Sequence, residues 1–163
     1  MRFTALALLA SAAVLGACAD GGDQQGTVAG DTPAAQTTPA ASGTGSAQAA
    51  PITGTTHEVR MLFDGQKYYF EPANLTIRQG DGVKWIMVSG APHNVQFKSG
   101  QFPAAAAAQL TANMRSSTGL MGPMMMQPNE EYTVSFAGLP AGTYNYVCTP
   151  HEMMGMTATI VVQ

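Results

Sequence analysis

Three side chains that bind soft or borderline metals stand close together near the end of the chain. Cys148, His151 and Met156 follow one another with the spacing Cys-x2-His-x4-Met, between two apolar alternating runs. Thiolate, imidazole and thioether groups together suit copper, which accepts both sulfur and nitrogen ligands. A fourth ligand has to come from elsewhere, and His93, in a turn that leads into an apolar run, is the candidate. The pattern therefore predicts a copper site that two separate segments build.

The segments around these residues have the sequence pattern of a β-protein. Short apolar or alternating runs are separated by Gly- and Pro-containing turns such as Asp64-Gly65 and Gly80-Asp81-Gly82, which favours an all-β, Greek-key β-sandwich. Alternation places Trp85 and Val95 in its core. The predicted strands are 57–63, 67–70, 75–77, 83–88, 94–97, 132–136, 143–147 and 157–162. An Ala- and Met-rich insertion over 99–128 interrupts them, with a short helix expected over 103–115 and irregular chain over 119–126.

Two His, one Cys and a weakly bound axial Met are the ligands of blue-copper electron-transfer sites. Each residue also has an ordinary structural explanation. Cys148 could be a buried thiol, either His a hydrogen-bonded polar group, and Met156 a core residue. The presence of both ligand segments on one predicted sandwich favours copper over these separate explanations.

Three segments carry a resemblance to the plastocyanin-type cupredoxins. Residues 90–97 (Gly-Ala-Pro-His-Asn-Val-Gln-Phe) resemble the first-His segment of that family, 142–156 its ligand loop, and 70–85 its early strands. The resemblance covers roughly residues 57–163. It implies a cupredoxin-like sandwich with one copper that alternates between Cu(I) and Cu(II), held by His93, Cys148, His151 and Met156.

The resemblance also assigns roles to neighbours of the ligands. Asn94 is expected to tie its loop to the ligand loop near Thr149, with backbone N–H groups directed at the Cys148 sulfur. Pro150 stiffens the ligand loop and removes a donor beside the ligands. Met153 and Met154 compete with Met156 as axial ligand, and the spacing in the resembled family selects Met156.

The composition excludes several functions. The formal net charge is −3 and only 10% of the residues are charged, so no basic patch is available for nucleic acid. With two cysteines, Cys18 and Cys148, no structural disulfide is expected in the mature domain. Of three histidines only His57 lies outside the proposed site, which is too few for the further copper centres of multicopper oxidases or copper nitrite reductases. We therefore expect that the protein is not an enzyme. His57 itself is interpreted as a residue at a solvated strand edge.

The start of the chain resembles an export signal. Residues 1–17 have a positive start, a short apolar run and small residues before Cys18, which is typical of a signal peptide. The sequence Leu-Gly-Ala-Cys at 15–18 resembles a bacterial lipoprotein processing site, which implies a lipid on Cys18. The composition of residues 18–53 predicts a disordered Ala/Gly/Thr/Pro-rich linker. Its root-mean-square end-to-end distance is roughly 30–35 Å. The cupredoxin domain is placed at 54–163.

The expected function is electron transfer by a monomer, in the periplasm or at the cell surface and anchored to a membrane through Cys18. Redox proteins would dock transiently near His151. The methionines of the insertion, Met114, Met121 and Met124–Met126, leave alternatives open. They are interpreted as core or loop filler, as a soft docking patch, or as thioethers that capture Cu(I) in a copper-delivery or resistance protein. An accessory module without redox work is a further alternative.

Overall fold

A computed structural model of the chain describes residues 47–163. The predicted signal peptide, the proposed lipid attachment at Cys18 and the linker up to residue 46 lie outside the described residues. Within the described part of the chain, none of the helices has the length and apolar character needed to span a membrane.

Residues 47–163 contain eight strands in two four-stranded sheets, which confirms the predicted β-sandwich. The first sheet has the order β2-β1-β4-β6 and the second the order β3-β8-β7-β5. Pairing is antiparallel except between β1 and β4 and between β3 and β8. The strands are β1 (Thr56–Phe63), β2 (Tyr68–Glu71), β3 (Asn74–Ile77), β4 (Gly82–Met87), β5 (Gln96–Phe97), β6 (Glu131–Ser135), β7 (Gly142–Val147) and β8 (Thr157–Val162).

Alternation along the strands fills the space between the sheets. In β8, Ala158, Ile160 and Val162 are buried while the residues between them are more exposed, as a period of two requires. Trp85 and Val95, both predicted to be core residues, are fully buried. The Trp85 indole meets the Tyr146 ring edge-to-face with ring centroids 5.4 Å apart. This contact joins one sheet to the other across the core, because Trp85 lies in β4 and Tyr146 in β7.

The β1–β2 hairpin turns where the sequence indicates. Asp64 accepts hydrogen bonds from the backbone N–H groups of Gln66 and Lys67, both at 3.0 Å, and Gly65 takes the positive φ of +96° that a glycine adopts without strain. The hairpin brings Phe63 and Tyr68 opposite each other in register.

The insertion is only partly helical. A 3₁₀ helix spans Ala104–Ala106 and α1 spans Ala107–Asn113. The chain then returns as isolated bridges, in which Met125 pairs with His93 and Met121 with Gln96. The insertion is therefore laid against the first-His segment, a pairing that its composition does not indicate.

The chain enters the domain along residues 48–54. The N–H groups of Thr53 and Gly54 both donate to the Gly80 carbonyl, at 2.9 and 3.0 Å, and the Ala50 N–H donates to Asn113 Oδ1 at 2.8 Å. These contacts begin inside the range assigned to the linker. Backbone groups make most of them, and Ile52, the large apolar residue of this stretch, lies against Gly82. Gly80 lies two residues before the first residue of β4, so this entry lies near the start of that strand.

Candidate metal centre

The ligand loop is a closed turn between β7 and β8. A 3₁₀ helix spans Thr149–Met154, with Pro150 in its first turn, and Gly155 ends it with φ +84°, a left-handed conformation that glycine adopts readily. The Cys148 N–H donates to the Met156 carbonyl at 3.1 Å, and the Met156 N–H donates to the His151 carbonyl at 3.1 Å. The loop therefore returns Met156 beside Cys148, and both side chains are fully buried.

His93 arrives from the segment after β4 and is held on both its backbone and its ring. Its N–H and carbonyl pair with Met125 at 3.0 and 2.8 Å. Ring Nε2 lies 2.9 Å from the Ser89 carbonyl oxygen. Because a carbonyl only accepts, Nε2 must carry the proton, and Nδ1 keeps its lone pair. A hydrogen bond to the second ring nitrogen is how proteins usually orient a metal-binding His.

The structure brings His93, Cys148 and His151 into one cluster. The Cys148 sulfur lies 3.5 Å from Nδ1 of His93 and 3.4 Å from Nδ1 of His151, and the three donor atoms all lie within 4.8 Å of one another. A sulfur and a nitrogen bound to one first-row metal at about 2.3 and 2.0 Å, with an angle near tetrahedral, would be roughly 3.5 Å apart. The observed spacing therefore fits donors that share one ion.

Burial sets the protonation of the cluster. It raises the pKa of the Cys148 thiol, against the opposing effect of backbone N–H groups of Asn94 and His151 that point at the sulfur. It lowers the pKa of His93, which the hydrogen bond to Ser89 partly opposes. It also lowers the pKa of His151, with a smaller contribution from the neighbouring His93. Both imidazoles are therefore neutral and free to donate a lone pair near neutral pH.

A reciprocal pair of hydrogen bonds ties the two ligand segments together. The Thr149 N–H donates to Asn94 Oδ1 at 2.7 Å, and Asn94 Nδ2 donates to Thr149 Oγ1 at 3.2 Å. The Thr149 hydroxyl in turn donates to Gln96 Oε1 at 2.9 Å. Asn94 is fully buried, so the link between the neighbours of His93 and of Cys148 lies inside the protein. Pro150, as expected, adds no N–H at this place.

Two contacts of the cluster were not evident from the sequence. The Ser89 carbonyl orients His93, and the ring of Tyr68 lies flat on the His151 ring, with centroids 3.6 Å apart and planes 8° from parallel. A backbone acceptor leaves no signal in a sequence. Tyr68, at the start of β2, has the same sequence appearance as any core aromatic.

The side chains of the other candidate residues are not among the three donors of the cluster. His57 Nε2 lies 2.9 Å from Asp81 Oδ2, so its ring is bound to a carboxylate and not simply solvated. Met114 and Met125 are buried in the core. The exposed methionines are Met124, Met126, Met153 and Met154, which are 45, 53, 96 and 55% exposed.

A β-sandwich with a buried His–Cys–His cluster between two loops defines a class of metal-binding protein, in which soft ligands select copper. The family model of copper binding proteins of the plastocyanin/azurin family matches residues 57–163, and the chain belongs to this family. The resemblance seen in the sequence is thus confirmed, and copper is confirmed as the cofactor.

Individual relatives agree with the family match. A plastocyanin of Scenedesmus fuscus is 34% identical over 105 residues, which are 64% of this chain and 97% of the relative. A plastocyanin of Nostoc punctiforme is 34% identical over 108 residues, which are 66% of this chain and 74% of the relative. Among solved structures, a mutant plastocyanin of fern is similar in fold, with a TM-score of 0.51 and 23% identity, over 66% of this chain and 100% of that one.

Proposed function

We propose that this protein is a single-electron carrier in which His93, Cys148 and His151 hold one copper ion and Met156 is its weak axial ligand. The observation that carries the proposal is the closed cluster: two Nδ1 atoms lie 3.4 and 3.5 Å from one buried thiol. The full burial of Met156, beside Cys148 in the same loop, supports its assignment over Met153, which is 96% exposed.

The bound copper supplies a one-electron Cu(I)/Cu(II) couple, and the chain supplies a site whose shape is fixed beforehand. The Asn94–Thr149 pair and the Ser89–His93 bond hold the donors in place without the metal. The four proposed ligands are at most 5% exposed, so the protein excludes water and leaves no position for a substrate. A rigid, closed site favours electron transfer over hydrolysis or oxygenation, which need an open coordination position.

The site of action that we propose is outside the cytoplasm, in the periplasm or at the cell surface. Support comes from the signal-like residues 1–17 and the lipoprotein-like Cys18. A lipid there would anchor a monomer to a membrane, and redox proteins would dock transiently near His151. Expression of the full chain tests the anchor. Cys18→Ser should move the protein from the membrane fraction to the soluble extracytoplasmic fraction, and an unchanged distribution would refute lipidation.

A second candidate function, copper delivery, is favoured by the exposed methionines. Met124 and Met126 of the insertion are about half exposed, and Met153 and Met154 lie on the ligand loop. Thioethers bind Cu(I), so a delivery protein would bind more than one Cu(I) per chain. A measured stoichiometry of one excludes this candidate, whereas a second, weaker Cu(I) that is lost in Met153→Leu/Met154→Leu would support it.

The absorption spectrum of the protein with Cu(II) tests the main proposal. We expect an intense thiolate-to-copper band in the visible region that Cys148→Ser abolishes. Cys18→Ser is the matched control, because it removes the chain's only other cysteine and should leave the band unchanged. A copper-loaded protein without colour, or a band that survives Cys148→Ser, would refute the proposed ligand set.

A further inference from the structure

The two imidazoles of the cluster are held in different ways. His93 donates from Nε2 to the Ser89 carbonyl, so a hydrogen bond fixes its ring. His151 makes its Nδ1 contact with Cys148, but within residues 47–163 its Nε2 makes no hydrogen bond to the protein. A metal-binding His normally has such a partner, and the orientation of His151 therefore needs another source.

We infer that Tyr68 is the positioning residue of His151. Its stacked ring fixes the orientation of the His151 imidazole, as the hydrogen bond to the Ser89 carbonyl fixes that of His93. The two rings are 3.6 Å apart and 8° from parallel. Stacking on one face leaves the imidazole free only to slide or rotate within its own plane. The contact to Cys148 then selects the rotation that points Nδ1 inward. This inference rests on the proposed copper site, because it assigns a role to a neighbour of a proposed ligand.

Tyr68 is itself held in place from its other side. The Phe63 ring stacks on it, with centroids 4.4 Å apart and planes at 27°. Phe63 is bound to the loop of the first ligand: its N–H donates to the Ser89 hydroxyl at 2.9 Å, and that hydroxyl donates to the Phe63 carbonyl at 3.1 Å. A continuous path of contacts therefore runs from His93 through Ser89, Phe63 and Tyr68 to His151.

The backbone near this stack is shaped to fit it. Gly90 has φ +81°, and a side chain there would collide with Phe63 and come within 3.0 Å of Tyr68 Cε1. Only glycine combines this conformation with the absence of a Cβ. Alternation along β2 points Tyr68 to the same side as the core residue Phe70, which is 2% exposed, and Tyr69 to the other side.

The neighbouring tyrosine provides a matched control for the test. Tyr68→Leu removes the stacked ring, Tyr68→Phe keeps it without the hydroxyl, and Tyr69→Leu makes the same change on the opposite side of the strand. The first measurement is made on metal-free protein by NMR of the His ring protons. In wild type, Tyr68→Phe and Tyr69→Leu, we expect one set of His151 signals with the upfield shift of a stacked ring. In Tyr68→Leu the upfield shift disappears with the ring, and the test is whether the His151 ring protons broaden or double because the imidazole takes more than one orientation.

Cu(I) affinity, measured by competition with a chelator, is the second readout. Since aromatic pairs contribute roughly 0.5–1.5 kcal/mol beyond their burial, Tyr68→Leu should weaken binding about twofold to twelvefold. Tyr68→Phe and Tyr69→Leu should bind as wild type does. Because the NMR readout needs no metal, failure of the copper site would appear as wild-type protein that does not bind copper, and would leave the test of Tyr68 intact.

Phe63→Leu keeps the test decisive if Tyr68→Leu does not fold. Phe63 is half-buried, and its loss frees the outer face of Tyr68, so His151 should lose part of its upfield shift. If folded Tyr68→Leu, or Phe63→Leu in its absence, shows a single His151 ring orientation and binds Cu(I) as wild type does, the inference is wrong.

Discussion

Removal of the Asn94 side chain should untie the two segments that carry the metal ligands. Asn94→Ala deletes two hydrogen bonds. In one, Asn94 Oδ1 accepts from the Thr149 N–H at 2.7 Å, and in the other, Asn94 Nδ2 donates to the Thr149 hydroxyl at 3.2 Å. Each such bond contributes about 1 kcal/mol net, and an unpaired donor that stays buried costs more. Thr149 is exposed, so water can satisfy its freed groups. We therefore expect the free energy of unfolding of the metal-free protein to fall by about 2 kcal/mol.

Asn145→Ala is the control for this substitution. Asn145 accepts a single bond, from the Thr159 hydroxyl at 2.8 Å, between two neighbouring strands. Its loss should cost about 1 kcal/mol and leave the Cu(II) spectrum unchanged, whereas Asn94→Ala should also shift the visible band. Urea unfolding and absorption spectra of both variants measure these effects. A loss of stability in Asn94→Ala no larger than in Asn145→Ala, with identical spectra, would refute the role given to this pair.

Three further predictions follow from the site and its support. Met156→Leu should keep the visible band but raise the reduction potential, because a weak ligand to the oxidised ion is lost; voltammetry should show no change for Met153→Leu, which alters a side chain that is 96% exposed. Burial raises the pKa of the Cys148 thiol, so copper uptake should release a proton and its affinity should rise with pH, by up to about tenfold per pH unit while the thiol is protonated; a pH-independent affinity would contradict this. The pKa of Asp81 is lowered from 3.8 to about 2, first by the hydrogen bond from the Arg78 N–H and then by His57. This shift corresponds to about 2 kcal/mol of folding stability, which is present above pH 4 and lost as the pH falls through 2. Asp81→Asn should lower the stability of the protein by about that amount at pH 6, with a difference from wild type that shrinks toward pH 2, and a difference that stays constant with pH would show that packing is the cause.

The strands were predictable because their apolar residues alternate and the turns between them contain Gly, Asp or Pro. Residues 157–162 were predicted with the bounds that the structure has, and six of the other seven strands differ by one residue at one or both ends. The strand predicted at 94–97 is shorter, spanning only Gln96–Phe97. The reason is that the backbone before Gln96 pairs with the insertion, where the Gly122 N–H donates to the Val95 carbonyl at 2.9 Å.

The cluster itself was predictable because its donor types are rare and its spacing is local. Cys148 and His151 share one loop, and a motif around His93 identifies its partner segment. The contacts that hold those donor residues in place were less predictable. The Asn94–Thr149 link came only from family resemblance. The Tyr68 stack joins residues 83 positions apart, and the Met125–His93 bridge depends on how an irregular insertion folds back. Such contacts depend on tertiary packing and leave no periodic signal.

The entry of the chain along residues 48–54 determines which end of the domain an attachment leaves open. These residues bond to Gly80, just before β4, while Ser89, just after that strand, contacts His93. The strand between them has six residues and is therefore about 20 Å long. A solid support or a fusion partner joined directly before residue 48 would meet the domain at the end where β4 begins. The ligand segment at Ser89 and His93 would then lie at the end opposite the point of attachment.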